Sequence, residues 1–190
     1  WLPYLMEHAA QLRPIKTIRK LAVLEEWVER APFATFNLDF NSVLYESTSA
    51  EGLAACPALQ NVHTLSLYAN DIGSSAFRTI LASPSLENLQ YLVIGSNGLA
   101  DDAWLAIGEA NSLRNLQRLD LMDFSRDTKI TPESMRAITH SPHLTNLRTL
   151  DLSCSHLEPE HCRQLTNTTG LMNLRTLNLS FSNLDSACCE

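Results

Sequence analysis

Apolar positions recur along this chain in one fixed phrase. Its clearest copies read Val62-x-x-Leu65-x-Leu67-x-x-Asn70-x-Ile72 and Leu89-x-x-Leu92-x-Ile94-x-x-Asn97-x-Leu99. The phrase returns as Leu116/Leu119/Leu121, Leu147/Leu150/Leu152/Leu157 and Leu174/Leu177/Leu179/Leu184, and a weaker early copy is Phe33/Phe36/Leu38/Asn41/Val43. Successive starts lie 29, 27, 27, 31 and 27 residues apart, and Ser125-Arg126-Asp127-Thr128 reads as the insertion behind the long step. Self-similarity at a period of roughly 20–50 residues marks a stacked repeat architecture, in which one unit cannot bury its apolar face alone.

Each phrase divides into two halves with different periods. Leu-x-Leu alternates with period two, so it predicts a short strand with leucines on one face. The Asn at 41, 70 and 97 suits a turn and predicts a partial Asn ladder between stacked units, with Phe124, Ser155 and Ser182 replacing it later. The second half is helical. Ala50, Phe77, Trp104, Met135 and Cys162 form one apolar column, and Leu53, Ile80, Ile107, Ile138 and Leu165 another three residues on. Asp101-Asp102 and Thr131-Pro132 are helix-start signals, while Pro57, Pro84 and Pro142 are stop signals ahead of the next strand.

The phrase, the unit length with a full helix, and the recurring Ser-Pro-x-Leu-x-Asn-Leu at Ser83–Leu89 and Ser141–Leu147 resemble leucine-rich-repeat proteins. The unit most resembles the ribonuclease-inhibitor-like subclass, and the Ser-Pro phrase its bacterial members. The resemblance covers about residues 33–184. It implies an α/β solenoid, a curved horseshoe with parallel strands on the concave face and helices on the convex face. It implies no particular function, because such folds bind many unrelated partners.

Two domain regions follow. Residues 1–31 read as an N-terminal cap: a helix over 1–12, a degenerate strand at Ile15-x-x-Ile18 and a helix over 21–30, with Trp1 and Trp27 sealing the apolar end. Residues 32–190 read as about six strand units, the last incomplete after Leu184. The missing polar cap and the non-Met start read as a fragment, or as an end that pairs with another copy of the chain.

Composition narrows function by exclusion. The net charge is −7; residues 1–30 contribute +1 and the remainder −8, so no basic stripe awaits phosphates and nucleic acid is not an expected partner. No apolar run is long enough for a membrane span. Five cysteines at 56, 154, 162, 188 and 189 have no zinc-like spacing and no disulfide framework, which points to a reducing, cytoplasmic setting. His156 and His161 are five residues apart, too far for two ligands on one helical face. No cofactor or metal is expected.

The positions between strand leucines should line the concave face. They form three columns: Thr35, Thr64, Tyr91, Arg118, Thr149, Thr176; then Asn37, Ser66, Val93, Asp120, Asp151, Asn178; then Asp39, Tyr68, Gly95, Met122, Ser153, Ser180. Most are small and polar. The exceptions Tyr68, Tyr91, Val93, Arg118 and Met122, rimmed by Asp120, Asp123 and Asp151, are the expected partner-binding set, since aromatic, Met and Arg side chains are enriched at interfaces. Asp120 and Asp151 on neighbouring strands also resemble a glycosidase-type carboxylate pair, but an open face excludes no water. The reading is a non-enzymatic protein-binding module; the alternative is the recognition arm of a larger enzyme or effector.

Overall fold

The computed structural model describes residues 17–44, 48–123, 130–184 and 188. Seven short strands form one open parallel sheet in chain order: β1 Thr17–Ile18, β2 Phe36–Asp39, β3 Val62–Ser66, β4 Tyr91–Val93, β5 Arg118–Asp120, β6 Thr149–Asp151 and β7 Thr176–Asn178. Helices alternate with them: α1 Leu21–Arg30, α2 Ala50–Ala55, α3 Gly73–Leu81, α4 Asp101–Glu109, α5 Pro132–Thr139 and α6 Pro159–Thr166. Parallel neighbours need a crossover, and the helix supplies it. Strands sit about 5 Å apart whereas packed helices need about 8–10 Å, so stacking them coil on coil bends the solenoid with the sheet inside.

The core lies between the two layers. Leu38, Leu65, Leu92, Leu119 and Leu150 are at most 1% exposed and pair in register along the sheet. Ala50, Phe77, Trp104 and Met135 are buried beneath them, as are Leu53, Ile80, Ile107 and Ile138, so the two expected helical columns are both inside. Their last members, Cys162 and Leu165, are only half-buried. Helix starts follow the sequence: the Thr131 hydroxyl accepts the Ser134 amide at 3.2 Å, with Pro132 in the first turn. Ser49 caps α2 in the same way. Pro57 and Pro84 do more than stop helices, since each opens a short 3₁₀ turn, Pro57–Asn61 and Pro84–Leu86, that leads into the next strand.

One register differs from the sequence expectation. Leu38, not Phe36, pairs with Leu65, so the first Leu-x-Leu equivalent is Leu38-x-Phe40. Phe36, Leu38 and Phe40 are all buried, and alternation alone cannot choose between two overlapping phrases. A register shift after Phe36 absorbs the difference. The sheet columns therefore begin with Asn37 beside Thr64 and Asp39 beside Ser66, not with Thr35 and Asn37. Counted from the paired leucines 38, 65, 92, 119, 150 and 177, the steps become 27, 27, 27, 31 and 27 residues.

Polar ladders tie each coil to the one before. Asn97 Oδ1 accepts the Asn70 and Ile72 amides, while its Nδ2 donates to the carbonyls of Leu67, Ile94 and Gly95. Asn70 does the same one coil earlier, for Leu44, Phe40 and Leu67. Asn41 is not a rung: it is exposed, and it accepts from Ser66 and from the Tyr68 amide. A second ladder runs along the opposite strand ends, where Asn61, Asn88, Asn115, Asn146 and Asn173 donate to Ala34, Gln60, Glu87, Arg114 and Thr145 carbonyls. A third closes the helix ends, with Ser83, Ser112, Ser141 and Thr168 donating to Ala54, Leu81, Gly108 and Thr139.

The N-terminal unit is partly in view. Ile18 is buried and pairs with Leu38, and α1 buries Leu21 and Leu24 and packs against the Pro57–Asn61 turn. Trp27 rests half-buried on the core. The expected helix over 1–12, with Trp1 and Ile15, lies outside the described residues, as do Phe124, the insertion at 125–129 and most of the segment after Leu184.

The ladders predict unequal costs for similar substitutions. Asn97→Ala orphans buried carbonyls and amides and should lose about 3 kcal/mol, whereas the exposed Asn41→Ala should lose under about 1 kcal/mol. Urea unfolding of both variants checks this; equal losses would remove the ladder's assigned role.

Candidate binding face on the sheet

The concave face is built from three rows of side chains, about 7 Å apart along the strands and about 5 Å apart between them. The first row reads Thr64, Tyr91, Arg118, Thr149, Thr176, and the second Ser66, Val93, Asp120, Asp151, Asn178, as paired in the sheet. The third holds Tyr68, Gly95, Met122 and Ser153, just past the strand ends. Tyr91 and Arg118 are therefore direct neighbours and both exposed, with Val93 half-buried beside them. Tyr68 and Met122 are half-buried and lie one row further on, to either side of Gly95.

Gly95 has a steric reason. A Cβ there would lie 1.8 Å from the Met122 carbonyl oxygen, so the backbones of these coils touch where a side chain would otherwise stand. The column is thus notched between Tyr68 and Met122.

The acidic set behaves differently from its expectation as an open rim. Asp120 is 9% exposed and Asp123 6%, so both are turned inward. Asp120 Oδ1 accepts the Met122 amide at 3.2 Å, and Oδ2 lies 3.4 Å from Arg118. Asp151 Oδ1 accepts from the Ser153 amide at 2.9 Å and hydroxyl at 2.6 Å, and its Oδ2 accepts from Asn178. Asp39 and Asn178 repeat this bond to the amide two residues on, toward Asn41 and Ser180. The Leu-Asp-Leu phrase is therefore a turn device that ends the strand. Partial burial pushes the Asp151 carboxyl up, but Ser153, Asn178 and Arg118 together outweigh it and hold the group below the usual carboxylate range. Asp151 is a fixed anion, the opposite of a carboxyl poised to donate a proton.

A depression of about 510 Å³ opens on this face. Tyr91, Val93, Arg118 and Thr149 line it, as expected from the columns, together with Gln117 and Arg148, which were not expected. A second depression of about 270 Å³ adjoins it at the strand starts; Gln117 and Arg148 line both, and His63 and Gln90 join them there. The column His63, Gln90, Gln117, Arg148, Arg175 is continuous, since each residue's amide donates to the preceding member's carbonyl at 2.8–2.9 Å. These residues precede the Leu-x-Leu core of the phrase, and only their recurrence at one register position marks them in the sequence.

Other candidates resolve into structure. His161 is 2% exposed; Nδ1 accepts the Glu158 amide and Nε2 lies 2.7 Å from the Ile130 carbonyl, so the ring closes the start of α6. Asp101, at the start of α4, accepts from the Thr131 amide and hydroxyl and from Ser134, joining α4 to α5. Among the described residues, no group of three or more His, Cys, Asp or Glu could hold a metal ion. None of their helices is long and apolar enough to cross a membrane.

Asp151 yields a pH prediction. Its folded pKa is depressed, so its contribution is complete above the ordinary carboxylate value near about 4 and fades as pH falls through the folded value. Asp151→Asn should be less stable than the parent at neutral pH, with the gap closing in acid. A gap that stays constant or widens on acidification would contradict the assigned bonds.

Comparison with known proteins adds one match and one absence. The Leucine Rich repeat family model matches residues 143–160, which span the approach to β6, the strand and the start of α6. No curated protein matches the chain. Seven parallel strands in chain order, helices between them and this match give the fold its name: an α/β leucine-rich-repeat solenoid.

Proposed function

We propose that this chain is a non-catalytic protein-interaction module that engages a partner protein on its concave face. The observation that carries the reading is the open depression where Tyr91, 40% exposed, stands beside Arg118 and Val93. Interface energy concentrates on exposed aromatics and arginines set on a rigid support. Tyr68, Tyr91, Val93, Arg118, Asp120, Met122, Asp123 and Asp151 form the proposed contact region. Tyr91, Val93 and Arg118 are its centre and Tyr68 and Met122 its flank, while Asp120 and Asp151 end their strands beside it and Asp123 lies buried beneath. Leucine-rich-repeat domains generally bind protein partners and are typically non-enzymatic, and here Asp120 and Asp151 are committed to their own turns. The free thiols of Cys56, Cys154 and Cys188 suit a reducing compartment, and we assign the chain to the cytoplasm. The coil length and its helix support the ribonuclease-inhibitor-like subclass.

The test compares proteins captured by the parent and by Tyr68→Ala/Tyr91→Ala, both checked for an unchanged melting curve. A partner held by the parent should be lost or bound at least about 10-fold more weakly by the variant. Undiminished capture would remove this face as the site.

A second contact is proposed at the β7 coil, with another copy of the chain as occupant. Met172, Leu177, Phe181 and Leu184 are 75%, 38%, 89% and 43% exposed there, an apolar group beside a strand with one described neighbour. Sedimentation should show association that grows with concentration and is lost in Leu177→Thr/Phe181→Asp. A parent that stays monomeric at high concentration would end this reading.

A further inference from the structure

The two concave depressions carry a charge opposite to that of the protein as a whole. The chain's net charge is −7, yet among the described residues those lining the two depressions include Arg118 and Arg148 and not one Asp or Glu. Burial holds the His63 imidazole below its ordinary value and so uncharged at neutral pH. Arg175 extends this column by one coil, its amide bonded to the Arg148 carbonyl at 2.8 Å. Both Arg148 and Arg175 are exposed, and among the described residues neither makes an ion pair. Arg19, Arg30, Arg78, Arg114, Arg118 and Arg163 each face a carboxylate, and the other described arginine with no ion pair, Arg136, lies on α5, away from the sheet. Like charges on neighbouring strands repel, so two adjacent guanidinium groups without counter-charge weaken the fold slightly and return nothing to it. An anion seated between them reverses that sign.

We propose that the concave face receives an extended acidic segment of its protein partner, with Asp or Glu carboxylates on Arg148 and Arg175. A flanking apolar side chain would rest against Tyr91 and Val93. This rests on the reading of the concave face as the binding surface and adds the chemistry of what binds there. Guanidinium groups bind carboxylates in paired, directional hydrogen bonds, and Gln90 and Gln117 stand in the same column to meet the peptide backbone. The fit is to a segment with local acidity, not to a uniform polyanion. Further along the same strands stands Asp151, a fixed anion, with the Asp39 carboxylate one coil beyond the depression. A phosphate backbone crossing the sheet would meet that charge, and the chain's net −7 opposes it at longer range.

The experiment is a fluorescence-anisotropy titration with three labelled peptides, Glu-Glu-Leu-Glu-Glu-Leu-Glu-Glu and its Gln-for-Glu and Lys-for-Glu counterparts, and an oligothymidine. The Glu peptide should bind at least about 10-fold more tightly than the other three and weaken by about 10-fold between roughly 50 and 300 mM salt. Arg148→Gln/Arg175→Gln should lose that preference while keeping the parent's melting curve; both side chains are exposed, so neither change threatens folding. Equal binding of the Gln peptide, or a preference kept by the double variant, overturns the inference. Binding of oligothymidine as tight as the Glu peptide also overturns it, in favour of a phosphate ligand. A partner captured through a neutral or basic segment, yet lost in Tyr68→Ala/Tyr91→Ala, would refute the acidic segment and leave the concave site standing.

Discussion

Wherever the chain turns between strand and helix, backbone carbonyls leave both hydrogen-bonding systems at once. In the stacked coils the corners at the strand starts stay exposed, while those at the strand ends and helix ends are wholly or partly covered from water. Each covered carbonyl needs a donor or costs about 1–3 kcal/mol. The donor comes from the next coil. Asn88, Asn115, Asn146 and Asn173 reach back at the strand starts, Asn70 and Asn97 at the strand ends, and Ser83, Ser112, Ser141 and Thr168 at the helix ends. A reach of one coil works only if every coil presents its amide or hydroxyl at the same place. Satisfying the corners therefore fixes the period, and the period fixes the sheet. Where Ser182 stands at the Asn position, its hydroxyl still donates to Leu152 one coil back, so one donor there is enough to keep the contact.

The same constraint divides the residues of a coil by what they are free to do. Leucines and ladder donors point at protein and cannot vary in size or polarity without opening a void or orphaning a carbonyl. Gly95, Gly108 and Gly170 belong with them, because a Cβ at each would strike the backbone of a neighbouring coil. The concave rows, apart from Gly95 and the strand-ending aspartates, are open to solvent. Their composition is not needed for stacking, so departures from small polar residues there call for another cause. Tyr91, Arg118 and Arg148 are such departures, and they border one depression. The aspartates of the second row are not, since bonds to the amide two residues on account for Asp120 and Asp151 as strand terminators.

Most of this fold could be read from the chain because its core obeys two clean periods. Leu65 to Leu150 and Phe77 to Met135 were assigned to the right layers by spacing alone. The first unit was misaligned by two residues because Phe36, Leu38 and Phe40 offer two overlapping phrases of equal quality. Pairing of Leu38 with Leu65 settles the choice, and pairing is a long-range fact. Asn41 was drawn into the ladder by that same slip. The second ladder was in plain view as the Asn of Leu-x-Asn-Leu, but a recurring polar residue next to a leucine looks like a surface position until its reach to the previous coil is known.

The candidate face was half legible for a related reason. Treating only the residues between strand leucines as surface-forming captured Tyr91, Val93 and Arg118 and missed the column that precedes them. Short parallel strands begin to pair two residues before the first leucine of their Leu-x-Leu core: the Arg148 amide bonds to Gln117 and the Arg175 amide to Arg148. That earlier position faces the same open side and extends the face by a row. The added row changes its character. Without it the face is an aromatic and methionine patch edged by aspartates; with it the strand starts are cationic and the strand ends anionic. A ligand lying along the strands would then meet opposite charges at its two ends. That asymmetry fixes an orientation for whatever binds, because a segment acidic at one end is attracted in one direction across the sheet and repelled in the other.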